Sequence, residues 1–442
     1  MNGDTIFAPA TGVGRAAIAV VRVSGPAAGV AIELFTGRGV KPRMAALRKF
    51  CDPDSGLVID EGLVLWFPGP HSFTGEDSVE FQLHGGRAIL SAMLAALGRM
   101  RGLRPAEPGE FTQRAFANGK MDLTQVEGLA DMIDSETERQ RRQAVGQFEG
   151  QLGARVHEWR AKLLRAQALV AAEIDFGDEE DVPAGLLGQI QAEVGPVLAD
   201  LEVALRQSGA AEILREGFIV VIAGPPNVGK SSLLNRLAGR EVAIVSPQAG
   251  TTRDVLEVRL EVNGVPILLV DTAGMRITED SIEAEGVARA QRRARTADLV
   301  LWLDAGEGGE VPPEIAQLSR APYWHLRTKA DLAIEGRETF HDLALSAHTG
   351  EGVEALLQKL ANYVIEKLPR PESGVLTRQR HVEACQRGAE ALRRVSRMPT
   401  NGALELVSED LQIATRALAQ VVGAVDVEEV LGEIFSRFCI GK

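Results

Sequence analysis

The chain is poor in cysteine and lacks long apolar runs. Its 442 residues include three cysteines, Cys51, Cys385 and Cys439, whose spacing fits neither a disulfide framework nor a set of metal ligands. No apolar stretch approaches the roughly eighteen residues that a membrane span requires. The first residues do not combine a basic head with an apolar core. These absences predict a cytoplasmic protein in a reducing compartment, with no membrane association.

Positive charge is also in deficit. The 61 acidic residues outnumber the 48 lysines and arginines, so the formal net charge is −13. This balance argues against a broad nucleic-acid-binding face, and an RNA partner would have to be met by local basic patches or by a second protein. The candidate patches, each equally typical of a solvated helix face, are Arg139, Arg141 and Arg142; Arg289, Arg292, Arg293 and Arg295; and Arg378, Arg380, Arg387, Arg393, Arg394 and Arg397.

The length of the chain and the changes in its sequence pattern predict several domains, because a chain this long is too large for one ordinary hydrophobic core. Residues 1–119 mix short apolar runs with glycine and proline turns, residues 120–215 and 370–442 have helical spacing, and residues 216–369 alternate strands with helices. We therefore expect a multidomain α/β protein. It would combine an α+β N-terminal module with a discontinuous α-helical domain into which a domain of alternating strands and helices is inserted.

A phosphate-binding loop is the most informative motif. Residues 224–231 read GPPNVGKS and match G-x-x-x-x-G-K-[ST] at every fixed position. An apolar, β-branched run precedes the loop and a helical pattern follows it, as such a loop requires. The backbone N–H groups would surround a polyphosphate. Lys230 would reach the outer phosphates and the Ser231 hydroxyl would ligate Mg²⁺.

Four further motifs follow in the order that a guanine-nucleotide switch needs. They are GTTRD at 250–254, DTAG at 271–274, TKAD at 328–331 and SAH at 346–348. The first would present a threonine hydroxyl to the metal and the γ-phosphate, and the second would hold the Mg²⁺ shell from a strand end. The carboxylate of TKAD can accept both the ring N–H and the exocyclic amine of guanine, which adenine cannot match. The five motifs together predict a GTPase, with the inserted domain as a Ras-like P-loop GTPase domain.

Two positions depart from the usual pattern. Thr328 stands where the base-reading motif normally has Asn, so roughly 0.5–1.5 kcal/mol of guanine binding should be lost. Met275 stands near the place of the water-orienting Gln of a Ras-type switch, so hydrolysis needs another water-positioning group and another source of positive charge. The acidic residues within 279–285 would supply the first, although composition alone favours a solvated helix start there.

Nearly the whole chain resembles a known family. It is similar to the tRNA modification GTPases called MnmE or TrmE in the stretches GPPNVGKSSLLN, AIVSPQAGTTRD, DTAGMR, LSAHTGEGV, PGEFTQRAFANGKMDL and FCIGK. The resemblance implies a K⁺ ion in place of an arginine finger and a water-orienting acid at Glu283. It implies Mg²⁺ ligands at Ser231 and Thr252, and K⁺ ligands at Asn227, Ser246, Gln248 and Thr251.

The motifs and the resemblance together define a predicted GTP-binding set. Its members are Asn227, Val228, Gly229, Lys230, Ser231, Ser232, Ser246, Pro247, Gln248, Ala249, Gly250, Thr251, Thr252, Asp271, Thr272, Ala273, Gly274, Thr328, Lys329, Ala330, Asp331, Ser346, Ala347 and His348.

The resemblance also implies that the N-terminal module dimerises and binds folate. The residues that it places around 5-formyl- or methylene-tetrahydrofolate are Arg22, Glu80, Lys120 and Lys442, and such basic and carboxylate groups suit the glutamate and pterin parts of a folate. It further implies that Cys439 is a mobile residue needed in the modification reaction. A buried, inert thiol is the ordinary interpretation of a single cysteine.

The implied function is a K⁺-activated GTPase whose hydrolysis is coupled to dimerisation of its G domains. With a flavoprotein partner, MnmG (GidA), the homodimer would add an aminomethyl or carboxymethylaminomethyl group at carbon 5 of the wobble uridine of certain tRNAs. The added carbon would come from the folate. Two alternatives stay open: a ribosome-assembly or translation GTPase switch without covalent chemistry, and a folate-dependent enzyme for which GTP is merely regulatory.

Overall fold

The fold is given by a computed structural model. It describes residues 3–12, 14–176, 186–225, 227–240, 243, 257–271, 297–305, 321–332, 342–368, 375–399, 403–425, 431–432, 434–435, 438 and 441. The chain forms two compact units. Unit 1 comprises Met1–Ala130, Gln147–Leu186 and Ala403–Lys442, and unit 2 comprises Asp131–Gly146 and Leu187–Gly402. The four-part division at 119, 215 and 369 stays a prediction.

Six strands form the sheet of unit 1. In chain order they are β1 (Thr5–Pro9), β2 (Ile18–Ser24), β3 (Ala46–Cys51), β4 (Val58–Phe67), β5 (Ser78–His84) and β6 (Leu103–Pro105). Their order across the sheet is β3-β4-β5-β2-β1-β6, and all neighbours are antiparallel except β1 and β6. Alternate residues of β2 and β5, among them Val21, Val23 and Phe81, are fully buried. They share one core with helices α1 (Ala28–Thr36) and α2 (Arg87–Arg99).

The opposite face of this sheet carries polar side chains at its centre. Arg22 of β2 is paired across the ladder with Glu80 of β5, and Ser24 with Ser78. Residues paired in this way point to the same face of a sheet. Helix α3 (Glu110–Ala117) packs on this side, where Phe111 joins a small buried cluster.

Long helices complete unit 1. They are α4 (Leu123–Asp134, its first eight residues in this unit), α6 (Gln151–Phe176) and α11 (Leu404–Val421). Val407, Leu411, Ala414 and Leu418 form a buried stripe at helical spacing on α11. Helix α11 packs along α6, where Gln167 Nε2 donates to Thr415 Oγ1 at 3.2 Å.

A second six-stranded sheet lies in unit 2. Its strands are β7 (Phe218–Ala223), β8 (Glu257–Val262), β9 (Val265–Asp271), β10 (Leu299–Asp304), β11 (Tyr323–Arg327) and β12 (Leu343–Ala344), in the order β12-β11-β10-β7-β9-β8. All neighbours are parallel except β8, which is antiparallel to β9. Every residue of β9 and β10 is buried, as expected for parallel strands covered on both faces. Helices α8 (Lys230–Ala238) and α9 (Val353–Lys367) share the core of this sheet.

Three helices of unit 2 flank this domain in sequence: α5 (Glu138–Phe148, mostly in this unit), α7 (Leu187–Glu216) and α10 (Gln379–Arg397). Gln140 and Gln143 of α5 each donate a hydrogen bond of 3.0 Å to the last turns of α7, at the carbonyls of Arg215 and Ala211. Only Gly217 separates α7 from β7. The predicted multidomain α/β fold is confirmed, and within the described residues no helix is long and apolar enough to cross a membrane.

Candidate functional site

Strand β7 ends in a loop whose backbone is shaped for phosphate. Gly224, Asn227 and Gly229 have φ angles of 153°, 60° and 105°, and α8 begins at the next residue, Lys230. Gly224 has no room for a side chain, because a Cβ there would lie 2.4 Å from the Leu303 carbonyl oxygen. The loop therefore makes a tight turn into the N terminus of α8, where backbone N–H groups and the helix dipole favour an anion.

Lys230 and Ser231 open α8 at the predicted phosphate and metal positions. Lys230 is buried, and its Nζ donates to the carbonyls of Gly224 and Pro225, both at 2.8 Å. Ser231 Oγ donates to Oδ2 of the buried Asp271, at the end of β9, over 3.2 Å. Hydroxyl and carboxylate oxygens are ligands that Mg²⁺ prefers. The pair therefore fits the Mg²⁺ shell of a GTPase, with Ser231 as a direct ligand and Asp271 supporting the shell.

The TKAD motif follows β11 at the same edge of the sheet. The buried Thr328 donates its hydroxyl to the Val228 carbonyl at 2.7 Å and lies 3.2 Å from the Asp304 carbonyl. Lys329 has a φ of 54°, and the Ala330 N–H donates to the Leu345 carbonyl at 3.1 Å. The Thr328 hydroxyl thus ties the base-reading loop to the phosphate loop. This contact was not indicated by the sequence.

Asp331 and the SAH motif meet at the base-reading end. Asp331 is exposed, whereas Ser346 is fully buried. A hydrogen bond from the Ser346 side chain, a backbone hydrogen bond and the charge of His348 lower the pKa of Asp331. An ionised carboxylate is the acceptor that the two N–H groups of guanine need. The structure therefore brings residues 328–331 and 346–348 together, as a guanine site requires.

Part of the predicted set lies outside the described residues. These positions are Ser246, Pro247, Gln248, Ala249, Gly250, Thr251, Thr252, Thr272, Ala273, Gly274, Glu283, Cys439 and Lys442. Their roles stay predictions.

Arg22 and Glu80, predicted for the folate site, form an ion pair on the polar face of the unit 1 sheet. Arg22 Nη2 and Nε donate to Glu80 Oε1 at 2.9 and 3.2 Å. The Arg22 guanidinium carbon also lies 5.2 Å from the ring centre of Phe73 and 5.8 Å from that of Phe111. Cation–π contacts and the forked hydrogen bond hold the guanidinium in place. The sequence indicated neither aromatic partner.

Lys120 lies against the loop that contains Phe73. Its Nζ donates to the Pro70 carbonyl at 3.0 Å, and its Cδ would lie 3.4 Å from a Cβ added to Gly75. Pro70, Phe73 and Gly75 belong to the connection between β4 and β5, residues 68–77, which we call the 68–77 loop. A folate offers carboxylates, ring N–H groups and a flat heterocycle. The basic, carboxylate and aromatic groups of this region match those features chemically.

Several arginines of the basic patches are paired within the chain. Arg141 and Arg142 both donate to Glu138, at 2.7 and 2.9 Å, and these hydrogen bonds lower the pKa of Glu138 to about 2. In the third patch Arg378 pairs with Asp131 at 2.6 Å, and Arg393 with Glu202 at 2.9 Å. For these arginines the structure supports the interpretation as paired helix-surface residues. The patch at 289–295 lies outside the described residues.

The geometry of unit 2 defines the class of protein. A phosphate loop, a serine–aspartate pair for Mg²⁺ and a base-reading carboxylate stand at one edge of a mainly parallel sheet, which is the arrangement of a P-loop GTPase domain.

Comparison with known proteins gives the family. The chain matches the MnmE helical domain over residues 123–439 and the GTP-binding protein TrmE N-terminus over residues 5–120. The tRNA modification GTPase MnmE of Beijerinckia indica subsp. indica is 52% identical over 439 residues, which cover 99% of this chain and 96% of the relative. That of a Methylobacterium species is 51% identical over 443 residues, covering 99% and 100%. Among solved structures, Aquifex aeolicus Era bound to GDP and AlF4⁻ is 28% identical and covers 39% of this chain and 66% of its own, with a TM-score of 0.26.

The chain therefore belongs to the MnmE family of tRNA modification GTPases. It is a GTP-hydrolysing enzyme of tRNA modification that binds GTP and Mg²⁺. The predictions of family and of enzyme class are both confirmed.

Proposed function

We propose that this GTPase, with a flavoprotein partner of the MnmG (GidA) kind, adds an aminomethyl or carboxymethylaminomethyl group at carbon 5 of the wobble uridine of certain tRNAs. The observation that carries this proposal is the Arg22–Glu80 ion pair held between Phe73 and Phe111. A pure nucleotide switch has no use for a second, preorganised site in a separate unit. A chain that couples GTP hydrolysis to one-carbon chemistry needs both.

A folate is the proposed ligand of that second site, and when bound it would supply the one-carbon unit. Glu80 accepts N–H groups of the pterin ring, Arg22 holds that carboxylate in place through their ion pair, and Lys120 pairs with the folate carboxylates. Among the described residues no hydrogen bond reaches Glu80 Oε2, so this oxygen can accept one from a ligand. From the resemblance alone, Lys442 is a further contact and Cys439 a residue of the modification reaction.

K⁺ is the proposed activator of hydrolysis. Asn227 has a left-handed backbone two residues before Gly229 in the phosphate loop, and its amide oxygen is a neutral ligand of the kind that K⁺ accepts. Ser246, Gln248 and Thr251 complete the proposed ligand set. A cation there supplies the charge that an arginine finger supplies elsewhere, and Glu283 orients the attacking water because Met275 cannot.

The proposed assembly is a cytoplasmic homodimer whose G domains approach each other during hydrolysis. Two observations favour a partner that provides much of the RNA surface. The net charge is −13, and four arginines of the basic patches, Arg141, Arg142, Arg378 and Arg393, are paired with carboxylates. The flavoprotein would then contribute both the redox chemistry and the contact with tRNA phosphates.

The test is the modification state of wobble uridines, measured by mass spectrometry of tRNA from a deletion strain. The full chain should restore the modified nucleoside, and Arg22→Ala should not. Arg99→Ala, which removes an exposed arginine paired with Asp52 and Asp54, should restore it like the wild type. Unchanged wobble uridines in the deletion strain would exclude the proposal and favour an assembly or translation switch.

A further inference from the structure

A dense network of charges lies beside the Arg22–Glu80 pair, and the proposed function does not use it. At its centre is Arg114 of α3, whose side chain is only 9% exposed. Arg114 donates to Glu110 Oε1 at 2.9 Å, to Asp4 Oδ1 at 2.9 Å and to Glu76 Oε2 at 3.1 Å. One buried guanidinium therefore joins helix α3, the residue that precedes β1, and the 68–77 loop.

Two of the three elements that Arg114 joins, α3 and the 68–77 loop, carry the aromatic partners of Arg22. Phe111 lies on α3, three residues before Arg114, and Phe73 lies in the 68–77 loop, three residues before Glu76. A second hydrogen bond also connects the end of α3 to the 68–77 loop: Asn118, just after α3, donates its Nδ2 to the Thr74 carbonyl at 2.7 Å. The position of both rings thus depends on how α3 is held to the loop.

Glu76 also continues the network to the sheet beneath Arg22. Ser24 Oγ donates to Glu76 Oε2 at 2.9 Å and lies 2.7 Å from Thr74 Oγ1. Ser24 and Thr74 are fully buried, and Ser24 stands two residues beyond Arg22 on the same face of β2. Loop, helix and strand are therefore connected without a break from Arg114 to the strand that bears Arg22.

We propose that Arg114 is a positioning residue for the proposed folate site: it clamps α3 to the 68–77 loop, so that Phe111 and Phe73 hold the Arg22 guanidinium ready for a ligand. The proposal rests on the proposed function for the identity of that ligand. The positioning itself is a property of the ligand-free chain. Removing the Arg114 guanidinium deprives Glu76 of this cationic partner. Without the charge-assisted hydrogen bond, the loop can move away from α3.

Arg104 provides a matched control. It belongs to the same network and donates to Asp4 Oδ2 and Glu110 Oε1, both at 2.6 Å. Its hydrogen bonds within the described part of the chain reach Asp4, Pro105 and Glu110, and none reaches the 68–77 loop. Arg104→Gln therefore removes comparable ion pairs but leaves the clamp intact.

The first measurement needs no ligand. Full-length wild type, Arg114→Gln and Arg104→Gln are treated with phenylglyoxal under native conditions, and modification of Arg22 is followed by peptide mass spectrometry. We expect Arg22 to react at least about threefold faster in Arg114→Gln, because local opening exposes it, and at the wild-type rate in Arg104→Gln. An unchanged rate in Arg114→Gln, or equal increases in both variants, would overturn the proposal. Glu76→Gln, which removes only the loop end of the clamp, should repeat the result if Arg114→Gln fails to fold.

The second measurement is the affinity for 5-formyltetrahydrofolate. Arg114→Gln should weaken binding about tenfold or more, while GTP hydrolysis stays within about twofold and Arg104→Gln binds like the wild type. In an Arg22→Ala background the same change should add less than about twofold, because Arg114 acts through Arg22. A full additional loss there would show that Arg114 acts by itself and would refute the positioning role. If the wild type binds no folate, the proposed function fails, and the labelling rates still decide whether Arg114 positions Arg22.

Discussion

The Asp331 carboxylate is the predicted determinant of which base the nucleotide site accepts. It can receive hydrogen bonds from both N–H groups on one edge of guanine, whereas adenine presents an acceptor there. We expect the wild type to bind GTP at least about a hundredfold more tightly than ATP. Asp331→Asn should shift the preference toward xanthosine nucleotides, whose carbonyl replaces the guanine amine.

Titration with GTP, ATP and XTP measures this preference. The control is Asp342→Asn, since that carboxylate pairs with Lys359 over 3.0 Å and is not among the predicted GTP-binding residues. Equal affinities of the wild type for ATP and GTP would show that Asp331 does not read the base.

Thr328 acts on the phosphate loop as well as at the start of the base-reading loop. Its hydroxyl donates to the Val228 carbonyl at 2.7 Å in a buried setting. Thr328→Val keeps the side-chain shape but leaves that carbonyl without its donor, so we expect a loss of about 1–3 kcal/mol in the free energy of unfolding of the nucleotide-binding domain. GDP affinity should fall as well, because the base-reading loop and the phosphate loop are no longer joined by this hydrogen bond.

Thr328→Ser keeps the hydroxyl and serves as the control. Denaturant unfolding and GDP titration of the two variants provide the comparison. If Thr328→Val has the same free energy of unfolding as Thr328→Ser and binds GDP with the same affinity, the hydrogen bond does not stabilise the nucleotide site.

At the scale of elements, the phosphate loop should require K⁺ as well as Mg²⁺. Replacing K⁺ by Na⁺ at constant ionic strength should greatly slow hydrolysis and leave nucleotide affinity nearly unchanged, since the charge matters in the transition state. Asn227→Ala should remove the response to K⁺. Equal turnover of the wild type in the two salts would mean that another cation supplies the charge.

Glu110 of helix α3 should make the stability of unit 1 depend on pH in the acid range. Burial alone would raise the pKa of Glu110, but hydrogen bonds from Arg104, from the Glu107 N–H and from Arg114 lower it below its usual value. A carboxyl whose pKa is lower in the folded chain stabilises that chain above its unfolded pKa of about 4.3, and the stabilisation is lost as the pH falls through the folded value.

Glu110→Gln should therefore weaken α3 at pH 7 and make little difference once the pH has fallen below the lowered, folded-state pKa of Glu110. Hydrogen exchange of α3 peptides, corrected for the intrinsic rate at each pH, measures the effect. Glu107→Gln is the control, because Glu107 contributes its backbone N–H and not its carboxylate. A loss that is equally large at both pH values would point to packing as its cause.

The elements of unit 2 were the easier to predict. Phe218–Ala223 is a strand that coincides with a continuous apolar run of the sequence, because parallel strands buried on both faces carry such runs. In unit 1 the apolar runs at 62–66 and 79–83 are only the centres of Val58–Phe67 and Ser78–His84. Cross-strand hydrogen bonds extend these strands into polar residues that carry no apolar signal.

The contacts within the sites were harder to predict, since they join distant parts of the chain. Arg22 and Glu80 are 58 residues apart and Thr328 and Val228 are 100 apart. The resemblance indicated Arg22 and Glu80, and the TKAD motif indicated Thr328, but only the three-dimensional structure shows their partners. Phe73 and Phe111 belong to no motif of known chemistry, and their role appears only once the 68–77 loop and α3 are in place.

At the scale of the whole molecule, the candidate nucleotide site and the proposed folate site lie on one chain. The Arg22–Glu80 pair belongs to unit 1, and the phosphate loop, Asp271 and Asp331 belong to unit 2. Residues that bind one ligand in one unit need not affect binding of the other ligand. Modification of tRNA, in contrast, should fail when either site fails, if hydrolysis drives the one-carbon chemistry.

Two variants separate these requirements. Glu283→Ala should lower GTP hydrolysis by about 10²–10⁴, the range for a group that positions water, with little change in GTP affinity and none in folate affinity. Arg22→Ala should weaken folate binding strongly and leave K⁺-dependent hydrolysis within about twofold, because it changes the ligand site of the other unit. Neither variant should restore modified wobble uridine in the deletion strain.

Glu279→Ala, close to Glu283 in sequence, is the control: it should lower the hydrolysis rate less than about tenfold and should restore modification. If Glu283→Ala supports full modification at a strongly reduced hydrolysis rate, hydrolysis does not drive the reaction, and GTP binding alone is what the folate chemistry requires.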